Sequence, residues 1–282
     1  MIRAKFPGIC LLLALAAAPG LFLPGTAHAG PCPVEHVGKL GTGAWPVDGE
    51  NALQADLARL HGGWFYTWQA KSGLSDARFV PMIRSGRDLP QVFATASPVL
   101  LTFNEPDEAK QANMSVELAL AYWPTLMATG KRLGSPATGT GNELGPDSWL
   151  GRFMAGAGAH GYRVDFIAVH HYAQSPDIDA FRRRLERIHA AYDRPIWVTE
   201  WALADWTRPG RFSVAEQASF FRRASAMLDD LPFVERHAWF GLYEGLDGWN
   251  LHSGLVAGGR LTEVGRAFVD LATCEAAPDD PE

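Results

Sequence analysis

From Lys39 onward the sequence keeps exchanging one period for another. Short runs rich in β-branched and aromatic residues give way to stretches whose apolar positions recur every three to four residues, and then return. A chain built this way is confined to α/β architectures, because each helix carries the chain back to start a strand parallel to the last one. The strand-like runs are 39–45, 63–68, 79–84, 99–103, 132–137, 166–170, 196–199 and 238–243, eight in all. Helical spacing is read over 51–60, 147–159, 178–192 and 213–228, and after Ser115 through Leu118, Tyr122, Leu126 and Met127. Ser115 is an expected N-cap, and Ser213 with Glu216 spells a capping box. Residues 69–78, after the second strand, show little helical pattern and make that connection the weak one. Eight strands in 282 residues predict a single-domain (β/α)8 TIM barrel, an architecture that takes about 250 residues. A doubly wound open sheet is the second architecture the alternation allows.

The ends of the chain read differently. Arg3 and Lys5 precede an apolar run over 9–18, and Ala27-His28-Ala29 fits a small-x-small cleavage site. Pro19, Gly20, Pro24 and Gly25 break the apolar run early, which favours a cleaved signal peptide over an anchor. The expected organisation is a signal peptide over 1–29, a catalytic domain over 30–275 and a mobile acidic tail over 276–282, in a secreted or periplasmic protein. No later stretch approaches the ~18 uninterrupted apolar residues of a membrane span. Thirty-one acids against 25 Lys and Arg, without a basic block, argue against nucleic-acid binding. Cys32 and Cys274 stand near opposite ends of the exported part, ends that meet in a closed barrel, so a disulfide between them is expected.

The chemistry is carried by Asn104-Glu105-Pro106 and Thr199-Glu200-Trp201. Both glutamates fall where predicted strands four and seven end, and in a barrel such ends surround the active-site mouth. Either glutamate alone reads as a charged loop residue or a helix cap; placed together across one mouth they form the carboxylate pair of glycoside hydrolysis. Glu105 is assigned as acid/base and Glu200 as nucleophile, with Asn104 beside them to hold a sugar hydroxyl. Alternation puts His170 and Tyr172 on one side of the sixth strand, where both can line the mouth. Trp68, Trp201 and Trp239 lie near strand ends and are the expected sugar platforms, whereas Trp64, Tyr66 and Tyr243 are left to the core. Arg84 is expected to bind sugar hydroxyls or polarise Glu105.

Neighbouring histidines without helical spacing, and the lack of an HExxH sequence, give no metal site. The glycines over 139–145 do not form a phosphate loop, and no GxSxG occurs, so no cofactor is expected.

These segments resemble glycoside hydrolase family 128, a barrel family within a large clan of glycosidases. The resemblance runs from Leu101 to Gly245 through LTFNEPDEAKQANMSVELAL, RLGSPAT, WLGRFM, YRVDFIAVHHY, RPIWVTEWAL and HAWFGLYEG, with NEPD and QANMS together the specific pair. It implies a retaining endo-β-1,3-glucanase with Glu105 as acid/base and Glu200 as nucleophile, acting on β-1,3-glucan; a monomer is expected. His171 and Trp201 depart from the Trp and Phe found in many members. Two other readings stay open: a barrel glycosidase cutting another β-linked polysaccharide such as mannan or β-1,4-glucan, and a glucan-binding protein with an inactive cleft.

Overall fold

The structure, a computed structural model of the chain, describes residues 34–245 and 250–274. The expected leader, Cys32 and the acidic tail lie outside the described residues.

A short helix α1 (Val34–Lys39) leads into β1 (Leu40–Gly43), followed by α2 (Glu50–Leu60), β2 (Trp64–Tyr66) and β3 (Met82–Ile83). After a 3-10 helix over Gly86–Ala94 come β4 (Val99–Asn104), α3 (Val116–Met127), β5 (Arg132–Ala137) and α4 (Trp149–Ala159). Then follow β6 (Ile167–Ala173), α5 (Ile178–Tyr192), β7 (Ile196–Leu203), α6 (Val214–Asp230) and β8 (Val234–Trp239). A small hairpin of β9 (Val256–Ala257) and β10 (Arg260–Leu261) precedes α7 (Glu263–Thr273).

The first eight strands close a ring. Parallel ladders run in the order β2-β1-β8-β7-β6 and β3-β4-β5. Parallel bridges join the two remaining seams, Phe65 with Phe79 beside β3 and Gly134 with Phe166 beside β6. Val80 N donates to Phe65 O at 2.9 Å across the first seam, and Ser135 N to Phe166 O at 2.9 Å across the second. The fold is a (β/α)8 barrel, with turns alone between β2 and β3 as the sequence pattern implied.

Two apolar layers hold it. Trp64, Tyr66, Val80, Met82, Leu101, Phe166, Trp197 and Ala238 fill the interior of the ring. A larger layer lies between strands and helices, taking in Leu53 and Leu57 of α2, Phe181, Leu185 and Ile188 of α5, and Phe220, Phe221 and Leu228 of α6. The interior holds large rings because β1 reads LGTG. A Cβ on Gly41 would stand 2.4 Å from the Trp64 indole, and one on Gly43 2.5 Å from that of Trp68.

The expected caps are present. Ser115 Oγ accepts from Leu118 N, and Ser213 and Glu216 exchange both bonds of a capping box. The eighth strand differs from its expected range, starting at Val234 rather than at 238. After the buried Val234 it continues with Glu235 and Arg236, which the bottom of the barrel receives. Glu235 pairs with Arg132 at 2.7 Å and accepts from Trp197 Nε1 at 2.9 Å, and the Arg236 guanidinium lies 4.5 Å from the centre of the Trp197 ring. Helix α7, opened by Thr262 Oγ1 accepting from Gly265 N, is a further element that the sequence pattern did not reveal.

Candidate active site

Glu105 directly follows β4, at the rim formed by the strand C-termini. Its backbone N donates to Ala137 O at 2.7 Å, keeping it against β5, and it takes φ 43°, a left-handed conformation uncommon for a side-chain-bearing residue. Strain of this kind costs ~1–3 kcal/mol and is retained where surroundings over-determine the position. Glu200 stands in the middle of β7, 4% exposed, with its side chain turned to the interior. Its Oε1 accepts from Trp68 Nε1 at 2.8 Å, and its Oε2 accepts a short hydrogen bond from the Tyr172 hydroxyl. The Tyr66 hydroxyl lies 3.3 Å from the same Oε1 and donates to Thr199 O at 2.8 Å.

His170, fully buried on β6, stands between the two carboxylates. Nδ1 is 2.9 Å from Glu105 Oε1, while Nε2 is 3.4 Å from Glu200 Oε1 without completing a hydrogen bond. One ligand-type atom from each of the three residues lies within 4.8 Å of the other two. Such a triad could also hold a metal ion; in this arrangement Nδ1 faces Glu105 and Nε2 faces Glu200, so the imidazole stands as a link between the two acids. The donor set fits a hydrogen-bonded bridge.

The electrostatics follow from burial and this bridge. Burial pushes the Glu105 carboxyl up, but the hydrogen bond and charge of His170, with the Arg84 charge, outweigh it and hold Glu105 below the usual carboxylate range. Burial also pushes Glu200 up. The His170 charge and the bonds from Tyr172 and Trp68 pull it down, the Glu105 charge pushes it up again, and the net direction is upward. For His170 burial works downward, yet the charges of Glu200, Glu105 and Glu143 and the bond to Glu105 raise it overall. Burial and the Glu200 charge raise Tyr66 and Tyr172 well above the usual phenol value, so both remain hydrogen-bond donors. The opposed directions at His170 and Glu105 favour the ion-paired form of the two groups, whose nearest atoms lie 2.9 Å apart.

The structure places Arg84, Asn104, His170, Tyr172 and Trp68 at the same mouth as the two glutamates. Arg84 Nη2 donates to Gln111 Oε1 at 2.6 Å, and Asn104 Nδ2 approaches the same oxygen at 3.5 Å. Among the described residues, Arg84 Nε and Asn104 Oδ1 are buried without a hydrogen-bond partner, an open donor and an open acceptor beside Glu105.

Two expected platforms are corrected. Trp201 and Trp239 have no exposed surface. They pack edge to face at 4.7 Å, Trp201 stacks on Phe221 of α6 at 5.6 Å, and Trp239 Nε1 donates to Ser253 O at 2.6 Å. Trp201 follows an inward glutamate on a strand, so alternation turns it outward to the helices, and Trp239 is its register partner on β8. The same rule exposes an omission. Tyr66, left to the core, shares its face with Trp64 and Trp68 and reaches Glu200. Trp206 was also missed; it is 48% exposed on the loop after β7, edge-on to Tyr172 at 5.0 Å and 6.3 Å from Phe240. Trp45, Trp68, Tyr172 and Phe240 complete an aromatic wall with it. Away from the site, Cys274 is disulfide-bonded; its expected partner Cys32 lies outside the described residues.

The family described as "Glycosyl hydrolase catalytic core" matches residues 43–268. A subgroup I GH128 endo-β-1,3-glucanase from Amycolatopsis mediterranei, solved with laminaritriose, is 42% identical and superposes with a TM-score of 0.74, over 83% of this chain and 99% of that one. A subgroup II GH128 endo-β-1,3-glucanase from Sorangium cellulosum is 27% identical with a TM-score of 0.67, over 83% and 98%. A subgroup III curdlan-specific exo-β-1,3-glucanase from Blastomyces gilchristii is 31% identical with a TM-score of 0.64, over 83% and 98%. Alkali-sensitive linkage protein 1 of Schizosaccharomyces pombe is 29% identical over 219 residues, 73% of this chain; the chain spans only 40% of the length of that protein.

Proposed function

The chain belongs to the glycosyl hydrolase catalytic-core family and, within it, to glycoside hydrolase family 128; from that premise we propose that it is an exported, retaining endo-β-1,3-glucanase. The observation that carries the reading is the Glu105–His170–Glu200 cluster, whose facing oxygens lie within 4.8 Å. Retaining enzymes hold their carboxyls ~5–5.5 Å apart, inverting ones ~6.5–9.5 Å to admit a water.

Glu200 is the nucleophile. Donors from Tyr172 and Trp68 stabilise its ionised form and aim its oxygens, offsetting the burial that opposes ionisation. Glu105 is the acid/base, and it is loaded by His170: a proton crosses the 2.9 Å from Nδ1 to Oε1, leaving a neutral imidazole and a neutral carboxylic acid. Glu105 then protonates the departing sugar oxygen while Glu200 attacks the anomeric carbon and forms a glycosyl-enzyme. In the second half Glu105 takes a proton from water, the resulting oxygen attacks the same carbon, and Glu200 leaves as carboxylate. Asn104 Oδ1 and Arg84 Nε are offered to sugar hydroxyls, and the wall of Trp45, Trp68, Tyr172, Trp206 and Phe240 to the apolar faces of glucose rings.

The substrate assignment is supported by the laminari-oligosaccharide complexes of the Amycolatopsis enzyme, and endo action by greater identity to that enzyme than to the exo-acting subgroup III member. Export is supported by the leader-like segment over 1–29 and by the disulfide at Cys274, a bond that persists in oxidising compartments.

Reducing-sugar release from laminarin, curdlan, mannan and carboxymethylcellulose tests the reading. We expect release from the two β-1,3-glucans, and loss of turnover with retained laminarin binding in Glu200→Ala. Release from mannan or carboxymethylcellulose alone would replace the substrate assignment. Binding of laminarin by the native protein without any release would mark a glucan-binding protein instead.

A further inference from the structure

Strand β6 outlasts its neighbour. β5 ends at Ala137, so the last part of β6, which carries His170 and Tyr172, has no strand beside it on that face. Backbone polar groups there still need partners. Thr140 supplies them from the loop after β5: its hydroxyl donates to His170 O at 3.3 Å and accepts from Tyr172 N at 3.4 Å, standing in for the missing strand. From the other side Arg184 of α5 donates to the same His170 carbonyl through Nη2 at 2.9 Å, with Nη1 3.2 Å from His171 Nδ1.

Arg184 is held in turn by Glu143, 2% exposed, whose Oε1 accepts a short bond from Nη2. Both Glu143 oxygens accept from Gly141 N at 3.2 Å, and the Tyr192 hydroxyl, at the end of α5, donates to Glu143 O. Asp107 fixes the start of this loop, accepting from Gly139 N at 3.0 Å and Asn142 Nδ2 at 2.7 Å. A buried ion pair is a poor way to gain stability, since an apolar pair of similar volume often holds a fold as well or better. What this pair does supply is a fixed direction for one guanidinium.

We propose that the buried Glu143–Arg184 pair, with Thr140, is a positioning device for the end of β6, setting His170 and Tyr172 against Glu105 and Glu200. The inference rests on the hydrolytic reading of that site and adds to it residues that act through His170 and Tyr172. It also carries a charge effect. His170 is faced by Glu105 from the end of β4, Glu200 from β7, Glu143 from the loop after β5, Arg184 from α5, and the phenols of Tyr66 and Tyr172. Glu143 is among the anions that favour its protonated form. Removing the Glu143 charge leaves Arg184 uncompensated behind the imidazole, so His170 loses its proton at lower pH.

The test uses the full chain with Glu143→Gln, Thr140→Val and Thr140→Ser, each checked for folding by circular dichroism. Glu143→Gln is expected to lower kcat on laminarin ~10- to 100-fold, the usual scale for a misplaced catalytic group, with KM nearly unchanged. The alkaline limb of its kcat/KM profile should move to lower pH. Thr140→Val should lose kcat, and Thr140→Ser, which keeps the hydroxyl, should recover it. Folded Glu143→Gln with native kcat and an unmoved pH profile overturns the proposal, as does Thr140→Val with native kcat. Titration of the His170 imidazole by NMR in native and Glu143→Gln proteins separates this from the hydrolytic reading. A midpoint displaced downward supports the charge part of the device even if the native protein cuts no glucan, and an unmoved midpoint refutes that part even if it does.

Discussion

Tyr172 shows how much of the site depends on one oxygen. Its hydroxyl bonds Glu200 Oε2, and burial keeps the phenol protonated and donating. In Tyr172→Phe the carboxylate loses a donor in a buried setting, so its proton affinity, already raised, rises further. Glu200 acts ionised, so the acidic limb of the kcat/KM profile should move to higher pH, with kcat/KM down ~10-fold or more at neutral pH, the scale of a lost hydrogen bond to a charged group. An unmoved acidic limb would mean that this bond does not tune the nucleophile. Trp201 gives the opposite kind of test. Buried among Phe181, Phe220, Phe221 and Trp239, it should cost ~3–5 kcal/mol of stability in Trp201→Ala, read from urea unfolding, while a subsite role would instead raise KM in a protein of native stability. The residue-level lesson concerns parity. Glu200 facing inward already sent Trp201 outward, and Trp68 facing inward already brought Tyr66 with it; proximity to a strand end was the weaker signal.

At the scale of elements, the loop after β7 is fastened by one acid. Asp205 accepts from the Thr207 backbone N at 3.1 Å, the Thr207 hydroxyl at 2.6 Å, Arg208 at 3.0 Å and Arg211 at 3.2 Å, and these bonds hold its pKa down at about 2. A depressed acid contributes its anchoring above its unfolded pKa near 3.9 and loses it as pH falls through about 2. Above that range the Asp205 bonds support the loop that carries Trp206 beside Tyr172. Asp205→Ala should raise KM for laminarin several-fold with a smaller effect on kcat; an unchanged KM would remove Trp206 from the sugar path. Helices with clear caps and one-sided apolar spacing were legible, α5 over its whole span, because propensity and burial agreed there. The start of strand β8 was hidden because Glu235, Arg236 and His237 look like a loop until Arg132 and Trp197 are brought beside them, and those partners are more than thirty residues away in the chain.

For the molecule as a whole, the closed ring is what turns distant sequence into chemistry. Glu105 and Glu200 are separated by two complete strand–helix units, and only closure brings them to one mouth. Glu105 was readable because a barrel gives strand C-termini a fixed meaning; Glu200, expected where the seventh strand ended at 199, lies instead inside a strand that runs on to Leu203, and reaches the mouth by facing inward. The bridge between them was not readable, since nothing local says that His170 meets both acids, that Trp68 and Tyr172 meet one, or that Gln111 meets Arg84 and Asn104. The central claim is that these two carboxylates act in turn on one anomeric carbon through a glycosyl-enzyme. Proton NMR of laminarin hydrolysis, followed before mutarotation, tests it most directly. The β-anomer of the newly formed reducing end should appear first, and first appearance of the α-anomer would contradict it.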